Sequence, residues 1–141
     1  MKLSLTLAIL IITTKCFGQT YQFDVAKVSE QTKEIVYKIE KENMLMHIAV
    51  GQVGTRPQQY DNFVDLQKIA TKDELQELTN HPNGVVRCYS FWALTKDTSV
   101  SLLPIILKHI TDDEIISEMS YCVIRKEIVG DFFYSFRYSA N

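Results

Sequence analysis

Displacing the chain by 30 positions against itself superposes two apolar segments, and that internal repeat limits the fold more than any other feature of the sequence. Val85 falls on Ile115, Val86 on Ile116, Tyr89 on Met119, Phe91 on Tyr121, Ala93 on Val123 and Leu94 on Ile124. A polar turn precedes each copy: Asn80-His81-Pro82-Asn83-Gly84 before the first, Thr111-Asp112-Asp113-Glu114 before the second. The second turn has the Thr-x-x-Glu form of a capping box, in which hydroxyl and carboxylate satisfy each other's backbone N–H groups at a helix start. Val85, Tyr89 and Trp92 recur at helical spacing, whereas strict alternation fails at Val85-Val86 and Phe91-Trp92. Each unit reads as helix, polar turn, buried helix. Such a pair cannot cover its own apolar face and must stack on a neighbour.

Composition agrees with helices. Five Gly and three Pro in 141 residues are too few for the many turns of an all-β protein. Val28, Ile35, Ile39 and Met46, joined by Val36, Leu45 and Ile48, predict a helix from Val28 to Val50. Gly51-Gln52-Val53-Gly54-Thr55-Arg56-Pro57 then breaks the chain, without the Gly-Lys-Ser/Thr of a phosphate loop. A second helix is expected over Gln59–Ala70, and Thr71-Lys72-Asp73-Glu74 forms a capping box for a short third. Leu102 to Ile110 is a further apolar helix, with Pro104 in its first turn or at a kink.

The segment His81-Pro82-Asn83-Gly84-Val85-Val86-Arg87-Cys88-Tyr89-Ser90-Phe91-Trp92-Ala93-Leu94 resembles the second half of a HEAT-like repeat. In that family a polar turn with proline leads into Val-Arg and then small and apolar residues ending in Ala-Leu. The resemblance spans residues 58–128 and is best in the first unit; in the second, Ser117 stands where the arginine is expected. It implies an all-α fold, a short α-solenoid of antiparallel helix pairs, with a binding or scaffolding role. It also implies that Arg87 pairs with Asp112 or Asp113 of the next turn. Trp92 is expected to be structural, since its helix is apolar around most of its circumference and should be the most buried.

The N-terminus is read as an address. Lys2, an apolar run from Leu3 to Ile12 and the small-x-small ending Cys16-Phe17-Gly18 have the form of a secretory signal peptide, cleaved after Gly18. As a helix the run spans only ~15 Å, about half a bilayer core, so a membrane anchor is the weaker alternative. Lipidation at Cys16 fits worse, because Thr13 and Lys15 occupy positions that prefer apolar and small residues. The expected organisation is residues 1–18 as signal peptide, 19–57 as a helix and Gly/Pro loop, and 58–141 as helical repeats. A secreted or periplasmic location follows, without stable membrane insertion once the peptide is removed.

Motifs for chemistry are missing. His47, His81 and His109 fall in no His-Glu-x-x-His or other ligand spacing, and no nucleophile elbow or Cys-x-x-Cys occurs, so no metal, cofactor or catalytic residue is expected. A net charge of −2 supplies no basic field for nucleic acid. Cys88 and Cys122 on successive helices lie too far apart for easy disulfide geometry. The C-terminal aromatics Phe132, Phe133, Phe136 and Tyr138 either cap the open end of the solenoid or expose a partner-binding strip. The expected function is an exported, non-enzymatic interaction or scaffolding module with a protein partner. The alternative is a small ligand carrier or enzyme with an aromatic pocket around Trp92 and Tyr89.

Overall fold

The computed structural model describes residues 21–139, with side chains up to residue 136. The expected signal peptide lies outside the described residues. In chain order come α1 (Glu30–Glu42), β1 (Leu45–Val50), α2 (Gln58–Ile69), α3 (Lys72–Leu78), α4 (Gly84–Leu94), α5 (Leu103–His109), β2 (Ile115–Tyr121), β3 (Val123–Ile128) and α6 (Val129–Ser139). The three strands form one mixed sheet in the order β1-β2-β3. This overturns the all-α solenoid: the chain is an α/β fold.

Helices with local signals form where the sequence places them. At α3 the Thr71 hydroxyl accepts from the Glu74 N–H (3.2 Å) and the Glu74 carboxylate from the Thr71 N–H (2.7 Å). That carboxylate also accepts from the Ser29 N–H (2.7 Å) at the start of α1. Burial acts to raise its pKa, but the hydrogen bonds from Ser29 and Thr71 outweigh it and hold Glu74 at about 2. At α4 the Asn83 side chain caps the Val86 N–H, and all residues from Gly84 to Leu94 are buried. This central helix packs against α1, α2, α3, α6, β1 and β2. Its Tyr89, Phe91 and Leu94 join Ile39, Leu45, Phe63, Leu66 and Phe133 in the core. Pro104 lies in the first turn of α5, where its missing N–H leaves no helical bond unmade.

Two expected helices are corrected. The helix expected over Val28–Val50 ends at Asn43, which takes the left-handed conformation (φ 48°) and gives its N–H to Ile39 O (2.9 Å). The remainder is β1. The second repeat copy is a hairpin, and Thr111–Glu114 opens no helix; Asp112 Oδ1 accepts the Glu114 N–H instead (3.2 Å). β2 runs parallel to β1 (Leu45 opposite Glu118, Met46 opposite Met119) and antiparallel to β3 (Ile116 opposite Glu127, Glu118 opposite Arg125). Regions 19–57 and 58–141 therefore share one sheet.

Pleating sends alternate residues to opposite faces. Leu45, Ile116 and Glu118 are buried toward the helices, which cover that face through α2, α4 and α6. Met46, Ile115, Met119, Ile124 and Ile128 take the other face. No helix among the described residues is long and apolar enough to cross a membrane.

Candidate interaction surface

The outer sheet face carries large apolar side chains in water. Ile115 is 63% exposed, Ile124 59%, Ile48 54% and Ile128 41%. Ile115 lies opposite Ile128 and Met119 opposite Ile124, so the exposed groups adjoin across the strands. Exposed apolar groups that adjoin in cross-strand pairs point to a contact site, whereas isolated exposed residues do not. Ser117 and Lys126 form the one polar pair between them, with Lys126 Nζ donating to Ser117 Oγ (2.9 Å). The hairpin loop is tight. Ser120 pairs with Val123 across Tyr121 and Cys122, and Tyr121 has a φ of 50°, at a position where two-residue loops favour glycine.

The inner face of the same strands is held by ions. Glu118, almost fully buried, accepts from His47 Nε2 (2.6 Å) on β1 and from Arg125 Nε on β3. Burial would raise this carboxyl; the bonds from His47 and Arg125 prevail and hold it at about 2. One carboxylate thus joins all three strands. Glu127, two residues from Arg125, is pushed upward by burial and by the nearby Glu118 charge.

Arg87 is buried and uses all five of its N–H groups. Nε and Nη2 donate to Asp112 (3.0 and 3.2 Å), Nη1 to His81 O (2.7 Å) and Pro82 O (2.9 Å), and Nη2 also to Glu114. Glu114 in turn accepts the Gly84 N–H (2.9 Å) at the first turn of α4. The knot ties α4, the turn before it and the loop between α5 and β2. Asp113 is exposed. His109 is fully buried beside Asp112, between Tyr21 (4.2 Å between ring centroids) and Phe133 (4.9 Å). Its ring nitrogens have no hydrogen-bond partner among the described residues, and Asp112 Oδ2 lies 3.8 Å from Nδ1.

The aromatics pack on one another. Phe63 stacks between Tyr89 (4.9 Å) and Trp92 (4.6 Å), and Trp92 also meets His47 (5.2 Å) and Phe136 (5.3 Å). Phe132 and Phe133 of α6 are buried, with Phe133 stacked on Phe91 (4.2 Å), so these two belong to the core and present no partner strip. Phe136 is half-buried, and the side chain of Tyr138 lies outside the described residues. Cys88 and Cys122 are free thiols; Cys88 is buried as expected of a core residue, but Cys122 is exposed in the hairpin loop. Among the described residues, no group of three or more His, Cys, Asp or Glu side chains is placed to hold a metal ion.

The partner surface that residue types pointed to was thus the aromatic tail, while the exposed apolar face belongs to strands that read as helix. Its one legible signal was Val123-Ile124-Arg125-Lys126-Glu127-Ile128, a β-branched run with charges between apolar ends. Compared with protein-family models, with curated proteins and with solved structures, the chain matches none.

Proposed function

We propose that this chain is an exported, non-enzymatic protein-interaction module that works through its three-stranded sheet. The observation that carries the reading is the outer face, where Ile48, Ile115, Ile124 and Ile128 stand in water on adjacent strands. Covering apolar area contributes about 25 cal/mol per Å², so a partner spanning these side chains gains from their removal from water. Export rests on the N-terminal Lys2-to-Gly18 segment, whose form is that of a secretory signal.

The test is affinity capture from native envelope or medium, comparing the wild-type chain with the double variant Ile48→Lys/Ile115→Lys. Both side chains are exposed, so the variant should keep its circular dichroism and thermal midpoint. Specific partners retained by the wild type and lost by the variant support the module. Identical partners on both chains, or none on either, defeat it.

A further inference from the structure

The two edges of the sheet are finished differently. Along β1 the Tyr89 hydroxyl accepts from the Met46 N–H (2.7 Å) and donates to Met46 O (3.0 Å). Gln59 Nε2 donates to Met44 O (3.0 Å), and Val50 exchanges both main-chain bonds with Thr55 (2.9 and 2.8 Å). That edge is closed by the chain itself. On the far side of β3 no strand pairs among the described residues, and Val123 to Lys126 are exposed.

Backbone direction identifies the groups on the open side. The Val129 N–H donates to Glu114 O (3.0 Å), next to the Ile115–Ile128 pair. Because N–H direction alternates along a strand, Val123, Arg125 and Glu127 turn toward β2. Ile124, Lys126 and Ile128 then present their N–H and C=O groups outward.

We propose that a second copy of this chain occupies that edge, β3 against β3 in antiparallel pairing, with Lys126 on the two-fold axis. The proposal rests on the interaction-module reading and names one partner for it. In this register Arg125 faces Glu127 of the second copy and Ile124 faces Ile128, each pair occurring twice by symmetry. The outward groups of three residues per chain supply about six main-chain hydrogen bonds. Arg125 engages Glu118 through Nε, and its side chain is 62% exposed, within reach of a carboxylate on a strand laid alongside. Glu127 is short of a cation, since its own-chain Arg125 Nε stands 4.0 Å away and is bonded to Glu118. The two sheets join into one, and the apolar strip of Ile115, Met119, Ile124 and Ile128 continues across the seam.

Lysine on an edge strand commonly guards against such pairing. Here Lys126 Nζ is drawn back over β2 by Ser117 Oγ (2.9 Å), which takes the two ammonium groups away from the axis.

Sedimentation equilibrium of the chain from Gln19 onward, as left by the expected cleavage, should give twice its monomer mass. Lys126→Pro removes an outward N–H and none of the main-chain bonds to β2, losing only the exposed side-chain bond to Ser117, so it should give a monomer with unchanged circular dichroism. Should that variant fail to fold, the charge variants decide. Arg125→Glu alone and Glu127→Arg alone each oppose like charges and should be monomeric, while an equimolar mixture should regain the dimer mass. A monomeric wild type at about 100 µM, well above the Kd of a functional dimer, overturns the proposal. So does a dimer that survives Glu127→Arg, or a mixture that stays monomeric. None of these variants changes Ile48 or Ile115. A monomeric wild type whose partner capture depends on Ile48 and Ile115 rejects the dimer alone, and a dimeric wild type whose captured partners are unchanged by Ile48→Lys/Ile115→Lys rejects the broader module.

Discussion

A buried guanidinium that meets two carboxylates and two carbonyls is costly to strip of partners. Removing one side of a buried pair leaves an uncompensated charge, at about 3–5 kcal/mol, whereas replacing both sides with apolar groups is often near neutral. Arg87→Ala should therefore lower stability by about 3–5 kcal/mol in urea denaturation. Arg87→Met with Asp112→Leu should cost less than the sum of the single changes. Strict additivity would mean that Arg87 and Asp112 are not coupled. Gly130 is a second site where one atom decides. A Cβ there would lie 2.8 Å from Ile110 O and 3.0 Å from the carbonyls of Asp112 and His109, all of them backbone. Gly130→Ala gains about 1 kcal/mol of helix propensity but loses about 1–3 kcal/mol to crowding. A lower thermal midpoint for Gly130→Ala is expected, and a higher one would show that this turn yields.

Elements governed by neighbours in sequence were legible, and those governed by distant partners were not. Thr71 and Glu74 lie three residues apart and close their capping box without outside help. The buried face of α4 likewise follows from its own spacing. β1 and β2 differ, because the residue that fixes their pleat is Glu118, and a glutamate pointing into the core breaks the apolar alternation by which strands are recognised. Its burial depends on His47, 71 residues away, and on Arg125 in the next strand. With Glu118 counted as a solvent residue, Ile115, Ile116 and Met119 fit a helix face, and the 30-residue offset reads as a repeated helix. The hairpin also separates the cysteines. Native-state alkylation should modify Cys122 alone, and both thiols should react after unfolding, as read by intact mass. Modification of neither thiol before reduction would point to a disulfide.

Across the whole molecule, burial and hydrogen bonding set the response to acid. His81 is held at about 4, by burial first and then by the Arg87 charge, and burial lowers His109 as well. Their unfolded forms take up protons near 6.5, before the folded forms do. For a group depressed in the folded state, the stabilising contribution is complete above the unfolded pKa and falls as pH drops toward the folded one. His81 therefore withdraws stability between about pH 6.5 and 4, and His109 withdraws its share as pH falls below 6.5. Glu74 and Glu118, ordinarily 4.5 and held at about 2, follow the same sign and withdraw theirs from about pH 4.5 down to 2. Glu40 and Glu127 are raised by burial and act in the opposite sense, but both are partly exposed and weaker. The urea midpoint should decline below about pH 6.5 and steepen below 4.5. His109→Leu should flatten the upper part of the decline, because it removes a buried imidazole whose protonation burial opposes. Glu118→Gln should flatten only the lower part, while lowering the plateau by loosening the join of β1 and β3 to β2. A midpoint constant from pH 7 to 4.5 would mean that both histidines take up protons inside the fold, and that the packing around His109 opens to admit them.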